Sequence, residues 1–336
     1  MTNAAPIQVK EPRFALLPFD SISFDTEANY LVKGVLPKEG LAVVWGPPKC
    51  GKSFWVFDVA MHVALGWQYR ERRVKPGAVV YVAAEGQSGF KRRVEAFRQE
   101  RLSEDHEAPP FHLLPTRLDL IHDYEALVQS IRVQLAGTLP ALVVLDTLNR
   151  TFSGSESSDE DMGAYIKAAD YIKAEFGCAI IVVHHCGIEC SRPRGHTSLT
   201  GAADAQIAIK RGNQQSIVAT VEWMKDGEGE GEKFASTLKT VDLGWDNDGE
   251  PITSCVIEPA MEIPRVAKQD HLKPNHETML HLIADAGPAG IDTEALYEKA
   301  RLLGIGTKRH ATLHDITRAL KKKGLVHEYG GRWTVG

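Results

Sequence analysis

The octapeptide Gly46-Pro47-Pro48-Lys49-Cys50-Gly51-Lys52-Ser53 constrains this chain more than any other stretch, because it satisfies G-x-x-x-x-G-K-[ST] at every fixed position. Such a loop cradles phosphate when a strand delivers it and a helix leaves it, so that backbone N–H groups and a helix N-terminus converge on one anion. Both flanks comply. Leu41-Ala42-Val43-Val44-Trp45 reads as a short buried strand, and Ser53 to Leu65 carries helix formers with apolar residues at Phe54, Phe57, Ala60, Met61 and Ala64. The expected cofactors are ATP and Mg²⁺. Gly46, Pro47, Pro48, Lys49, Cys50, Gly51, Lys52, Ser53 and Phe54 would form the cradle, with Lys52 on the β- and γ-phosphates and the Ser53 hydroxyl on the metal.

At 336 residues the chain has room for one large α/β domain and a small one. No apolar run approaches the ~18 residues that span a bilayer. Met1 to Phe19 mixes in Lys10, Glu11 and Arg13 and has no signal-peptide core, so a cytoplasmic protein with no membrane partner is expected. Five cysteines at irregular spacing argue against a disulfide framework and suit a reducing compartment. His184, His185, Cys186 and Cys190 lack a second Cys/His pair at finger-like distance, which disfavours zinc. The net charge of −5 is uneven: residues 268–336 hold 11 Lys/Arg against 8 Asp/Glu, and 6 of the 13 histidines. An acidic body with a basic tail predicts localised contact with a polyanion.

Apolar strands at 41–46, 78–84, 141–146, 179–184, 205–210, 216–223 and 234–241 alternate at first with helical segments at 52–65, 88–101, 123–136, 159–176 and 198–204. That alternation predicts a mostly parallel sheet covered on both faces, with later antiparallel additions. Ligands of such sheets sit beyond the carboxyl ends of the strands. Residues 1–35 read as a lead-in, 36–262 as a nucleotide-hydrolase core, 263–274 as a linker and 275–336 as a winged helix-turn-helix. The last holds helices at 275–287, 292–303 and 307–323 and strands at 325–329 and 332–335.

Three strands end in chemistry. Ala141 to Leu145 ends in Asp146, a hard oxygen donor suited to orienting Mg²⁺. Ala78 to Ala84 ends in Glu85, a candidate base for the attacking water. Cys178 to Val183 delivers His184-His185, which can hydrogen-bond a γ-phosphate and report its loss to the following loop. The acidic segment Ser158-Asp159-Glu160-Asp161 reads as a helix start.

GPPKCGKS, VVYVAAEGQ, LVVLDTLNRTF and CAIIVVHHCG, in this order, resemble the RepA-like hexameric helicases, RecA-type ATPases of plasmid and phage replication related to DnaB. The resemblance covers roughly residues 30–260. It implies a RecA-like fold and a homo-oligomeric, hexameric ring with ATP between neighbours and single-stranded DNA in the pore. It matches Lys52 and Ser53 to the phosphate loop, Asp146 to the metal-orienting aspartate, Glu85 to the hydrolytic base and His184-His185 to the sensor. It makes Cys190 to Ser198 the pore loop, with Arg192, Arg194 and His196 as DNA contacts. Such rings also need a cation reaching the neighbour's γ-phosphate, an arginine in the RepA-like proteins; Arg211 and Lys225 are the candidates here. In the tail, Leu313, Ile316 and Leu320 share one helix face, leaving Lys308, Arg309 and Arg318 to meet duplex or fork DNA, or a protein. The expected activity is ATP-dependent DNA unwinding or translocation. A DNA-binding ATPase of recombination and a nucleotide-switched regulator are the alternatives.

Overall fold

The computed structural model describes residues 16–23, 27–187, 190–212, 216–225, 227–260, 274–287, 290–306, 311–322 and 325–335. The chain divides into two compact units, Met1–Val266 and Ala267–Gly336.

The larger unit is built on one nine-stranded sheet. Its strands are β1 (Gly40–Gly46), β2 (Ala78–Ala83), β3 (Phe111–Leu114), β4 (Pro140–Asp146), β5 (Ala179–His185), β6 (Ala205–Arg211), β7 (Ser216–Met224), β8 (Lys233–Trp245) and β9 (Pro251–Pro259), in spatial order β3-β2-β4-β5-β1-β6-β7-β8-β9. The six strands from β3 to β6 are parallel, and β7 to β9 extend the sheet antiparallel. The parallel strands are near-continuous apolar runs because both faces are covered. Helices α1 (Lys52–Leu65) and α2 (Gln87–Arg101) cover one face. There Phe57 packs edge-on against Phe90, Phe97 and Phe111. Helices α3 (Leu120–Gln134), α4 (Asp159–Phe176) and α5 (Ser198–Ala202) cover the other, around Leu120, Met162, Tyr165 and Ile172.

The helix ends follow local chemistry. Ser158 Oγ accepts the Asp161 N–H at the start of α4, and three acidic residues occupy its first turn. Gly177, at φ 59°, closes the helix in the left-handed conformation. Sequence periodicity anticipates α4 at 159–176 and places most other elements within a few residues. It omits β3, a four-residue edge strand with no fully buried position, and β9, which begins and ends in proline.

The smaller unit contains α6 (Pro274–Ala284), β10 (Ile291–Asp292), α7 (Thr293–Leu302), α8 (Ala311–Lys322), β11 (Val326–Tyr329) and β12 (Arg332–Val335). Its strands pair in the order β10-β12-β11. Met279, Leu296, Leu313, Ile316, Leu320 and Trp333 make a separate core. The two-residue strand β10 carries too little sequence signal to be anticipated.

Candidate nucleotide-binding site

The phosphate loop leaves β1, which lies between β5 and β6 in the sheet. Two of its glycines are fixed by sterics. A Cβ at Gly46 would stand 2.2 Å from the Ile209 carbonyl oxygen; Gly51 has φ 101° and would press a Cβ to 3.0 Å from Ile217 Cγ2. Pro47 and Pro48 contribute no N–H, so the cradle's amides come from Lys49 onward.

The strand order brings the separate sequence motifs to one rim. Glu85, Asp146, His185 and Arg211 line one concavity of about 470 Å³ with Lys49, Gly51, Lys52, Ser53 and Phe54. Lys52 Nζ donates to the carbonyls of Gly46 at 3.0 Å and Pro47 at 2.8 Å, and stands 3.5 Å from His185 Nδ1. Burial lowers the Lys52 ammonium pKa, and an anion in the cradle would favour the charged form. Ser53 Oγ donates to Asp146 Oδ1 at 3.2 Å, and Tyr81 Oη donates to Asp146 Oδ2 at 2.7 Å. Burial raises the Asp146 carboxyl pKa, with the Tyr81 and Ser53 bonds opposing it. Hydroxyl beside carboxylate is a hard-oxygen pair that fits Mg²⁺. Thr147 Oγ1 donates to Glu85 Oε2 at 3.4 Å, linking the tips of β2 and β4. Tyr81 and Thr147 lie within the quoted motifs and Arg93 outside them, but only the folded sheet shows that all three belong to this site.

His184 is fully buried, and its Nε2 donates to the Arg194 carbonyl at 2.7 Å, while Nδ1 has no partner among the described residues. Burial pushes the His184 imidazolium pKa below its ordinary 6.5. The unfolded chain therefore takes up a proton below about pH 6.5 that the folded chain refuses. More protons in the unfolded state make stability rise with pH, so it falls as pH drops through that window. His184→Gln is expected to flatten the loss as pH falls below about 6.5 in urea titrations. An unchanged slope would assign that loss to other groups.

The loop after β5 is tied to the site through backbone. Arg194 N–H donates to the His185 carbonyl, and Cys186 N–H to the Gly46 carbonyl. Its basic residues are less free than their sequence suggests. Arg194 grips Glu156 through Nε at 2.5 Å and Nη2 at 2.7 Å, and His196 Nδ1 lies 3.1 Å from Asp159 Oδ1. Arg192 is exposed and donates to the Gly195 carbonyl. The acidic segment before α4 thus holds the basic loop as well as capping its helix. Against the expectation of free thiols, Cys186 and Cys190 are joined as a disulfide; Cys50, Cys178 and Cys255 are free.

The two cation candidates separate. Arg211, at the carboxyl end of β6, turns back to its own phosphate loop, with Nη1 3.0 Å from the Lys49 carbonyl oxygen. Lys225 is exposed and donates its N–H to the Asp204 carbonyl, at the opposite end of β6. In the smaller unit, Arg318 is exposed on α8, while Lys308 and Arg309 lie outside the described residues.

The AAA domain family model matches residues 9–189, more than half of the chain and the whole of β1 to β5. The chain belongs to the AAA domain family. Membership, taken with the phosphate loop, makes it a P-loop ATPase. Among solved structures, the crystal structure of the RadB recombinase is similar at 18% identity, covering 62% of this chain and 89% of that one with a TM-score of 0.43. The ATPase domain of G40P is similar at 12% identity, covering 60% and 81% with a TM-score of 0.44. No curated protein matches the sequence significantly. No helix among the described residues is long and apolar enough to cross a membrane.

Proposed function

We propose that this ATPase is a ring-forming DNA helicase or translocase of the replicative, RepA-like type, acting on single-stranded DNA in plasmid, phage or prophage replication. One observation carries the reading. A short hydrogen-bonded route runs from the phosphate loop to the basic loop: Lys52 to His185, then His185 and His184 to the backbone of Arg194. A histidine that makes and loses a hydrogen bond to the γ-phosphate at one end would shift the loop carrying Arg192 at the other, converting hydrolysis into movement of a strand.

Each side chain then has a task. Lys52 neutralises the β- and γ-phosphates, Ser53 and Asp146 would hold Mg²⁺, and Glu85 takes the proton from the attacking water. The metal, when bound, draws charge from the phosphate oxygens. Arg211 acts within its own site. Lys225, exposed and distant from its own phosphate loop, is the cation that reaches a neighbour's γ-phosphate in a hexameric ring. Arg192 meets the strand directly, and Arg194 does so when Glu156 releases it. The unit at 275–336 acts as a winged helix, with the exposed face of α8 at Arg318 toward duplex or fork DNA.

The test is strand displacement on a forked DNA substrate. The full-length protein should unwind with ATP and Mg²⁺ and not without ATP. Lys52→Ala should fold normally, lose turnover and fail to unwind. ATP hydrolysis without displacement would favour a DNA-binding ATPase of recombination. Unchanged turnover in Lys52→Ala would remove the assignment of the loop.

A further inference from the structure

The nucleotide pocket contains one charged group that neither the motifs nor the proposed mechanism uses. Arg93, on α2, lines the same concavity as Lys52, Ser53 and Asp146. Its guanidinium lies over the Phe54 ring at 4.4 Å and over the Phe90 ring at 5.5 Å. The Phe90 ring is 4.6 Å from that of Tyr81, whose hydroxyl holds Asp146, so Arg93 stands on the Tyr81 and Asp146 side of the pocket. Lys52 stands on the His185 side.

Arg93 is held by aromatic faces, and one of its donors is unmet. Its Nε–H is buried and has no hydrogen-bond partner among the described residues. Cation–π contact fixes a guanidinium's plane without using its in-plane donors. A buried polar group without a partner is uncommon in a folded chain and calls for an explanation such as a missing ligand. The charge inventory names the sign of that ligand. Lys49, Lys52, Arg93 and Arg211 face only Glu85 and Asp146, a surplus of two positive charges. With a divalent cation added, the surplus equals the four negative charges of a nucleoside triphosphate.

We propose that Arg93 is a phosphate-binding residue, gripping the phosphate chain of the bound nucleotide from the Asp146 side while Lys52 grips it from the other. The inference rests on the nucleotide reading of this site. The planar fork suits two oxygens of one phosphate, and the aromatic pair presets its orientation before the nucleotide arrives. Phe54 directly follows Ser53 at the start of α1, so the guanidinium stacked on it is positioned beside the cradle.

Binding of two ligands to the full-length protein by isothermal titration tests this, using MgATP and inorganic tripolyphosphate with Mg²⁺. Arg93→Gln should weaken both by a similar factor, about 10- to 100-fold for a lost charge-assisted contact. Arg93→Lys keeps the charge without the stacked plane and should recover part of the loss for both ligands, a recovery that a packing defect would not give. Unchanged affinity for both ligands in Arg93→Gln overturns the proposal. So does loss of ATP affinity alone, which would assign Arg93 to the base or ribose. Lys52→Ala separates this failure from that of the site. If it binds both ligands as well as the wild type does, the nucleotide reading falls and Arg93 with it. If it binds neither, the site stands, and Arg93 is judged on its own variants.

Discussion

Lys225→Ala is expected to lower ATP turnover by about 10³- to 10⁵-fold, the range for losing a cation supplied in trans to a transferring phosphoryl group. The variant should fold and bind nucleotide normally, because Lys225 is exposed and lies at the opposite end of β6 from its own phosphate loop. The deciding measurement is complementation. Neither Lys225→Ala nor Lys52→Ala should turn over alone. Mixed, they should regain activity where an intact phosphate loop of one variant meets an intact Lys225 of the other. Turnover per subunit should also rise with protein concentration. Full activity of Lys225→Ala, or of a monodisperse monomer, would end the shared-site reading.

Glu85→Gln is expected to keep MgATP affinity and lower hydrolysis by about 10²- to 10⁴-fold, the usual contribution of a general base. The substitution keeps the side chain's shape and an oxygen that can accept from Thr147, so the β2 and β4 tips should stay linked. Lys52, Ser53 and Asp146 are untouched. Single-turnover hydrolysis with bound ATP measured separately isolates the chemical step. Wild-type turnover in both Glu85→Gln and Asp146→Asn would mean that other strands supply the chemistry.

The sheet was legible because a parallel strand buried on both faces must be apolar throughout, as Leu142 to Leu145 and Ile180 to Val183 are. The strand tips were legible because a polar residue ending such a run sits on the rim where β1 releases its loop; Glu85, Asp146 and His185 all reach it. What stayed hidden was set by tertiary packing. Tyr81 sits mid-strand and reads as a core aromatic, yet its hydroxyl reaches Asp146 across 65 positions of sequence. Arg93 sits in the run Lys91-Arg92-Arg93, which reads as a solvated helix face until α2 is laid against Phe54. Arg194 reads as free charge, and its pairing with Glu156 depends on how two loops from different strands meet. Arg211 and Lys225 are equivalent on paper because only the direction of β6 and β7 sends them to opposite ends.

The central position of β1 has a consequence for how this molecule comes apart. The strand that carries the phosphate loop has a neighbour on both sides, paired from Gly40 to Gly46 with β5 and from Ala42 to Trp45 with β6. Opening it requires separating the sheet near its middle, whereas β3 and β9 can peel from the edges. The loop's anchor is therefore lost only when the middle of the sheet opens. Partial denaturation should strip the margins first and leave a smaller body that keeps the loop's anchor.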